Sequence, residues 1–449
     1  MTHRIRAFSL TLAQGLYLAF CAALFFYVTQ HFADAAPGLL LANTFATPDW
    51  VMRKVARRLT NNAVFANRMN VMREYDDEYR QKGVKMGDTV TLRLPMRYEV
   101  TTGAVMNPTP LTDQTVTLSI TDQSNIGFEY DSWSATLFVD DYMERYGNPA
   151  VDQLVNNIDY TGLSRMYKAV AKSVGTPGTV PTTNDVYTLA KTKLVEAAVP
   201  RPYRAFLTAD MHGQIAGANL ALFNPSAQIA AMFRTGQFSG PALGIDEWFE
   251  DENIATHTVG ALGTTPLVAG AGQSGSTINI DGASAGVANY WRDGDVVQFA
   301  TCMDINPLSH QSTGRRKDFT VVGNHNSTGG GLVALSISPA IVTSGPFANC
   351  SGSPANDDAV TTFGHASAYA GLTTRQGLVA HKEAFALVMA DLQLPRGLWI
   401  AERISNAKLG ISIRMLKDHD IINDVSPARL DTAHGWGAIR QELACRVCS

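Results

Sequence analysis

The sequence predicts an α+β fold interrupted by an inserted small β-barrel-like domain, and three observations carry that prediction. An apolar stripe of helical period starts at Asn148. Two alternating runs, Thr89–Leu94 and Thr115–Ile120, flank about twenty mostly polar, small or proline residues. Composition then shifts sharply between Asn253 and Lys382. At 449 residues the chain can bury two or three separate cores. With 45% hydrophobic and 17% charged residues, it is neither a polytopic membrane protein nor largely disordered.

Residues 1–41 read as a signal-like leader. A basic start (His3, Arg4, Arg6) precedes an apolar stretch, Ala7 to Val28, and small residues at Ala33–Ala36. Its clean apolar core, Gly15 to Val28, is shorter than the roughly 20 residues a spanning helix needs. From Ala42 the text reads as the beginning of a soluble chain, so the leader is expected to lie outside the functional subunit.

Asp49 to Asn70 shows an approximate helical period, with Arg53, Lys54, Arg57 and Arg58 on a basic face that reads first as a solvated helix surface. Turn residues Lys82–Asp88 lead into the first alternating run, and the polar stretch Pro95 to Asp113 makes the two runs an extended hairpin with little core of its own. Asn148-Pro149 supplies a cap and a first-turn proline. Val151, Leu154, Val155, Ile158, Leu163, Met166, Tyr167 and Val170 then form one stripe, so a helix of about 25 residues, roughly 38 Å long, is expected over 148–173. A shorter helix at Asp185, a strand near Ala205–Thr208 and a helix opened by Asn224-Pro225, with Ile229 and Phe233 on its face, follow.

Glu252 is the last glutamate until Glu383, Lys317 is the only lysine from Asn253 to His381, and 18 of the 37 glycines fall between Asn253 and Lys382. That shift marks a separate β-rich module, with strands expected at Thr277–Ile280, Asp295–Ala300, Asp318–Val322 and Leu332–Ile337, arranged as a small barrel or sandwich. Beyond it, Gly377 to Ala390 reads as a strand followed by a helix or second strand, and Leu409 to Met415 as an alternating strand. Because the chain leaves a mixed fold and returns to it, the module is an insertion.

No phosphate-binding loop, zinc-protease helix, nucleophile elbow or kinase signature is present. Cys445 and Cys448 have the spacing of half a zinc site but no second pair, at what reads as a frayed chain end. Five irregularly spaced cysteines suit free thiols in a reducing compartment. His257, His310, His325 and His365 lack ligand spacing. The acidic clusters Asp140, Asp141, Glu144 and Glu247, Glu250, Asp251, Glu252 read as a solvated helix start and an exposed loop. No cofactor, metal or catalytic group is expected.

Particular stretches resemble a known family. Ala42-Asn43-Thr44, Asn61–Phe65, Tyr75–Tyr79, Gly87–Val90 with Arg93-Leu94-Pro95, Phe223-Asn224-Pro225, Asp251–Gly260, Leu335–Ile341 and Asp420–Asp424 near Arg429–Asp431 are similar to coat proteins of short-tailed phages, over roughly Ala42 to Val447. The resemblance implies the tailed-phage/herpesvirus-type major capsid fold. In that frame the chain divides into an N-terminal arm (42–84), an extended loop with flanking strands (85–135), a peripheral domain with the spine helix (136–182), the first part of an axial domain (183–257), the inserted β-rich domain (258–376) and a C-terminal axial/peripheral part (377–449).

It further implies self-assembly into hexamers and pentamers around double-stranded DNA, with a scaffolding protein during assembly, a portal at one vertex, and no membrane. The candidate inter-subunit contacts are Arg97, Tyr98, Glu99 and Asn107 of the loop, Arg53 and Arg57 of the leading segment, and Arg315, Arg316 and Lys317 of the insertion. A net charge of −4, or −5 beyond residue 41 (34 basic, 39 acidic), is expected to leave packaged DNA without sequence-specific contact. The competing expectation, an exported β-rich surface protein, rests on the leader and on two glycosylation sequons, Asn326-Ser327-Thr328 and Asn349-Cys350-Ser351.

Overall fold

A computed structural model describes residues 63–71, 89–98, 100, 104, 114–131, 148–220, 241–363, 369–405 and 411–449. Among them lie three α-helices, here α1 (Asn148–Ala169), α2 (Asp185–Glu196) and α3 (Ala209–Leu220), and three six-stranded sheets.

The stripe predicted for the long helix is buried at every position: Val151, Leu154, Val155, Ile158, Leu163, Met166 and Tyr167 are all at most 5% exposed. At 22 residues α1 is about 33 Å long. It ends four residues earlier than expected, because Ser173–Gly175 pairs in parallel with Arg446–Cys448. A partner more than 270 positions away gives those backbone groups a ladder that local periodicity cannot reveal. Gly162 is required by packing, since a Cβ there would stand 2.6 Å from the Trp436 ring. That ring lies on the helix and donates from Nε1 to the Ile158 carbonyl at 3.0 Å.

The first sheet orders Asn70–Val71, Phe385–Ala390, Val425–Ala438, Ser412–Lys417 and Ile400–Ser405, with Asp122–Asp131 running antiparallel to the long strand from Val425 to His434. The long strand alternates at its start and is buried continuously from Leu430 to Trp436. There it lies between α1 on one face and the base of the extended loop on the other.

The second sheet orders Ser173–Gly175, Ala444–Cys448, Thr373–Ala380, Arg204–Leu207 and Glu247–Glu250, with Thr256–Thr258 paired to Thr373–Arg375. Both α1 and α2 (Tyr187, Ala190 and Leu194) join one core with this sheet and with Phe65, Phe206, Phe385 and Trp436. Phe65 meets Phe206 and Trp436 at centroid distances of 5.1 and 5.0 Å. Ala444–Cys448 is therefore an interior strand buried at all five positions, and the frayed end expected from sequence is corrected. Its neighbours on both sides come from earlier in the chain.

The third sheet orders Val360–Thr362, Val296–Phe299, Phe319–Val321, Val333–Ile341, Gly275–Asp281 and Leu267–Val268. A bridge between Leu267 and Ala359 joins its two ends, so the six strands close into a barrel, which removes the free edges. All four strands expected here form, around a core of their own that includes Ile278, Trp291, Phe299, Phe319 and Leu335. Because Thr258 pairs with Thr373, the chain enters and leaves the barrel side by side.

Two further expectations change. The helix predicted over Asp49–Asn70 does not run through its described end: residues 63–69 form a turn and Asn70–Val71 a short strand parallel to Ala386-Leu387. The cause is Asp159 on α1, which accepts the backbone N–H groups of Val64, Phe65 and Ala66 at 2.7, 3.1 and 3.0 Å. Glu247–Glu250 is a strand, not an exposed loop, and Asp251 is 4% exposed. The helix expected at Asn224-Pro225, the cluster Asp140, Asp141 and Glu144, and the leader lie outside the described residues.

Candidate assembly interfaces

The extended loop is anchored at its base. Thr89–Arg93 and Thr115–Ser119 pair in register from Thr89 with Ser119 to Arg93 with Thr115, and the last ladder bond runs from the Leu94 N–H to Gln114. Alternation turns Val90, Leu92 and Leu118 to one face, where they are buried against Ala386 and Val388.

Beyond that base the side chains diverge. Arg97 reaches back to Glu442 at 2.9 Å, whereas Tyr98 is 65% and Val100 88% exposed. Burial alone would push Glu442 up, yet its own backbone N–H and the Arg440 and Arg97 guanidiniums hold it below the usual glutamate range. Glu99, Asn107, Arg53 and Arg57 lie outside the described residues.

The inserted barrel is tied to the body by charged and polar groups. Arg446, 1% exposed on the interior strand, donates to the Gly294 carbonyl at 2.7 Å and sits over the Tyr167 ring of α1 at 5.8 Å. Burial lowers its affinity for the proton, and the thiol of Cys448 and the Tyr167 hydroxyl oppose that shift.

His257 Nε2 lies 2.7 Å from Asp295, whose second oxygen accepts the N–H groups of Arg292 (2.7 Å) and Gly260 (3.1 Å). Lys168 of α1 pairs with Asp293 at 3.0 Å and Lys193 of α2 with Asp318 at 2.6 Å. A polar cleft of about 710 Å³ opens here, and among its lining residues Lys168, His257 and Asp293 are held in these contacts.

Arg315, Arg316 and Lys317 lie on and just after the hairpin strand Ser312–Arg316, paired with Met303–Ile305. Arg315 pairs with Glu196 of α2 at 3.0 Å and Lys317 with Asp304 at 2.6 Å, while Arg316 is exposed. The structure thus gathers these three at the junction with α2 and leaves Arg97 and Tyr98 on the loop, with no contact between the two groups among the described residues.

Cys445 and Cys448 are three apart on one strand, so alternation sets them on opposite faces and they do not make half a metal site. Both sequon asparagines hydrogen-bond within the inserted domain: the exposed Asn326 accepts from the Asn289 N–H and the half-buried Asn349 donates to the Ala340 carbonyl, each at 2.7 Å.

Sequence reasoning did not single out one end of the first sheet, where Trp399 (65%), Ile421 (87%) and Ile422 (89%) are exposed beside a groove lined by Phe128, Leu398, Leu416 and Ala428. The available signal was the apolar pair Ile421-Ile422 between turn-forming Asp and Asn residues.

The P22 coat protein family, described as gene protein 5, matches residues 43–445. Comparison with curated proteins finds no match. Among solved structures, Mycobacterium phage Che8 is similar at 14% identity, covering 86% of this chain and 90% of that one, with a TM-score of 0.44. The satellite phage P4 procapsid including its size determination protein is similar at 8% identity over 93% and 96%, TM-score 0.37. The isolated CUS-3 coat protein I-domain aligns with 23% of this chain and 98% of its own, at 21% identity and TM-score 0.17. With its family model spanning all but the first 42 and last 4 residues, the chain belongs to the P22 coat protein family and is a phage major capsid protein, a structural subunit of the virion shell.

Proposed function

We propose that copies of this chain assemble in the host cytoplasm into pentamers and hexamers that close into an icosahedral shell around double-stranded DNA, and that it catalyses no reaction. The observation that carries the reading is the extended loop: its base is fixed to the body through Val90, Leu92 and Leu118, while Tyr98 and Val100 beyond it are left to solvent. A loop held at one end and uncovered at the other finds its burial on a neighbouring copy.

In this reading Arg97, Tyr98, Glu99 and Asn107 contact the adjacent subunit, Arg53 and Arg57 contribute from the leading arm, and Arg316 extends outward from a hairpin that Arg315 and Lys317 brace. A scaffolding protein guides assembly and a portal occupies one vertex. DNA is enclosed without sequence-specific contact, as a net charge of −4 favours.

The test is to express Ala42–Ser449 with and without the phage's scaffolding protein and to image the products by electron microscopy. Closed shells are expected with the scaffold; soluble monomers under every condition would overturn the proposal. Deleting Met96–Leu111 is expected to leave a folded subunit that forms no shells, and normal shells from that variant would refute the role of the loop.

A further inference from the structure

Cys302, Cys350, Cys445 and Cys448 are free thiols, and the first two meet inside the inserted domain. Asp304 and Cys350 form an antiparallel bridge, and the Ser351 N–H donates to the Met303 carbonyl at 3.0 Å. Alternation then turns Cys302 to the same face as Asp304 and its partner Cys350. The thiols make a chain of hydrogen bonds: Cys350 donates to the Cys302 sulfur, and Cys302 donates to the Gly352 carbonyl at 3.3 Å.

The pair lies one residue beneath the surface. Both side chains are fully buried, yet their chain neighbours Thr301 and Ser351 are exposed and Gly352 is half-buried. Their surroundings also give the two sulfurs different tasks. The hydrogen bond from Cys350 holds the Cys302 thiol below the usual range against burial, with the Lys317 ammonium helping and the Asp358 and Asp304 carboxylates opposing. The same bond, together with burial, pushes Cys350 up. Cys445 and Cys448 are arranged otherwise: they lie on opposite faces of one strand, and burial pushes both up, Cys445 to about 12.

We propose that Cys302 and Cys350 are a peroxide-oxidisable pair, Cys302 as the attacking thiolate and Cys350 as the resolving thiol, which closes into an intrachain disulfide at the base of the hairpin Met303–Arg316. The inference goes beyond shell formation and does not depend on it.

Hydrogen peroxide is the oxidant, because a small uncharged molecule needs little opening of the domain to reach a buried sulfur. The Cys302 thiolate attacks one peroxide oxygen and the O–O bond breaks. The departing hydroxide takes up the proton that Cys302 released, leaving water and a sulfenic acid on Cys302. The Cys350 sulfur then attacks the Cys302 sulfur, the S–O bond breaks, and hydroxide leaves with the Cys350 proton as a second water. Two electrons pass from the sulfurs to the peroxide, and the resolving thiol is already in hydrogen-bond contact. The bridge closes a ring that contains the hairpin, Phe319–Val321 and Val333–Ile341, so it restrains the unfolded chain. A reducing compartment keeps the pair as thiols while the chain folds, and the bridge forms once the protein leaves it.

The test exposes the native full-length chain to hydrogen peroxide, denatures it in iodoacetamide and maps it with trypsin without reductant. Cleavage at Arg315 separates the two cysteines, so the bridge is expected as Asp293–Arg315 linked to Asp318–Arg375. Both thiols are expected to be lost to alkylation and the melting temperature to rise, each reversed by dithiothreitol, while Cys445 and Cys448 stay alkylatable. With dimedone present, Cys350→Ala is expected to be labelled at Cys302, and Cys302→Ala to leave Cys350 unlabelled.

The absence of the linked peptides from folded wild type, oxidation of Cys445 and Cys448 to the same extent, or dimedone on Cys350 instead of Cys302 would overturn the proposal. Where a variant fails to fold, the wild-type map decides alone. Failure of the chain to form shells would strike at the proposed function and leave this result untouched.

Discussion

Replacing Gly435 by alanine probes how the extended loop is attached. A Cβ at Gly435 would stand 2.0 Å from the Ser119 carbonyl oxygen and 3.0 Å from Ile120 Cα. Non-bonded carbon atoms settle at about 3.5–4.0 Å, so the two strands must separate by more than about 1 Å. Ser119 cannot yield alone, because it is paired with Thr89 and moves with the whole hairpin base. Complete detachment would return Val90, Leu92 and Leu118 to water at about 1.5–3 kcal/mol each, which sets the ceiling. Partial displacement is cheaper, so Gly435→Ala is expected to cost about 1–3 kcal/mol, as overpacking usually does. Gly437→Ala is the internal comparison. Its Cβ would also meet an atom at 2.0 Å, but that atom is Leu118 Cδ2, the mobile end of a side chain, and the expected cost is below about 1 kcal/mol. Urea unfolding followed by tryptophan fluorescence, with Trp436 adjacent to both sites, reads the difference. A Gly435→Ala protein within about 0.5 kcal/mol of wild type, or one less affected than Gly437→Ala, would refute the reasoning.

Three other perturbations follow from the buried charges. Asp431 is fully buried and holds Arg414 at 2.9 Å and Arg429 at 3.1 Å, so Asp431→Ala leaves the largely buried Arg414 without its carboxylate, while the half-exposed Arg429 turns to water, and is expected to cost about 3 kcal/mol in urea unfolding. Burial pushes Asp159 up to about 7, against the pull of three backbone N–H donors and with the Asp251 carboxylate adding to the rise. Its folded value exceeds its unfolded one, so the contribution is full below about pH 4 and is lost as pH rises through 7. Wild type is therefore expected to gain stability over Asp159→Asn on acidification from pH 7 to 4, by no more than about 4 kcal/mol; a difference that does not change with pH would refute the assignment. Arg446→Met removes the tie between α1 and the Gly294 turn while keeping the volume. Limited proteolysis is expected to cut the connections near Thr258 and Thr373 faster, with the barrel core still protected.

What was legible in the sequence was what local pattern encodes. The α1 stripe, the Thr89 and Thr115 runs and the four barrel strands each carry their own burial signal, and each formed where that signal lay. The strands that organise the first sheet carried none. Among the described side chains of Asp122–Asp131 none is fully buried, and Val425–Ala438 contains Pro427, Gly435 and Gly437, which read as breakers. Those glycines are explained only by the loop base pressed against them. The short strand Ala444–Cys448 reads as a chain end until its neighbours at 173–175 and 373–380 are known. For the interfaces, sequence resemblance indicated the loop and the basic residues, but the partners of Arg315 and Lys317 lie on or beside other elements. The Ile421-Ile422 pair lies in a stretch similar to the family, but its exposure is not visible in the sequence.

The interior position of Ala444–Cys448 also sets a timetable for synthesis. The barrel takes all its strands from residues 267–362 and can close while later residues are still being translated. The second sheet cannot: its middle stays open, with the facing edges of Ser173–Gly175 and Thr373–Ala380 unpaired, until the ribosome has passed residue 448. A chain still on the ribosome therefore carries a closed barrel beside an unfinished sheet.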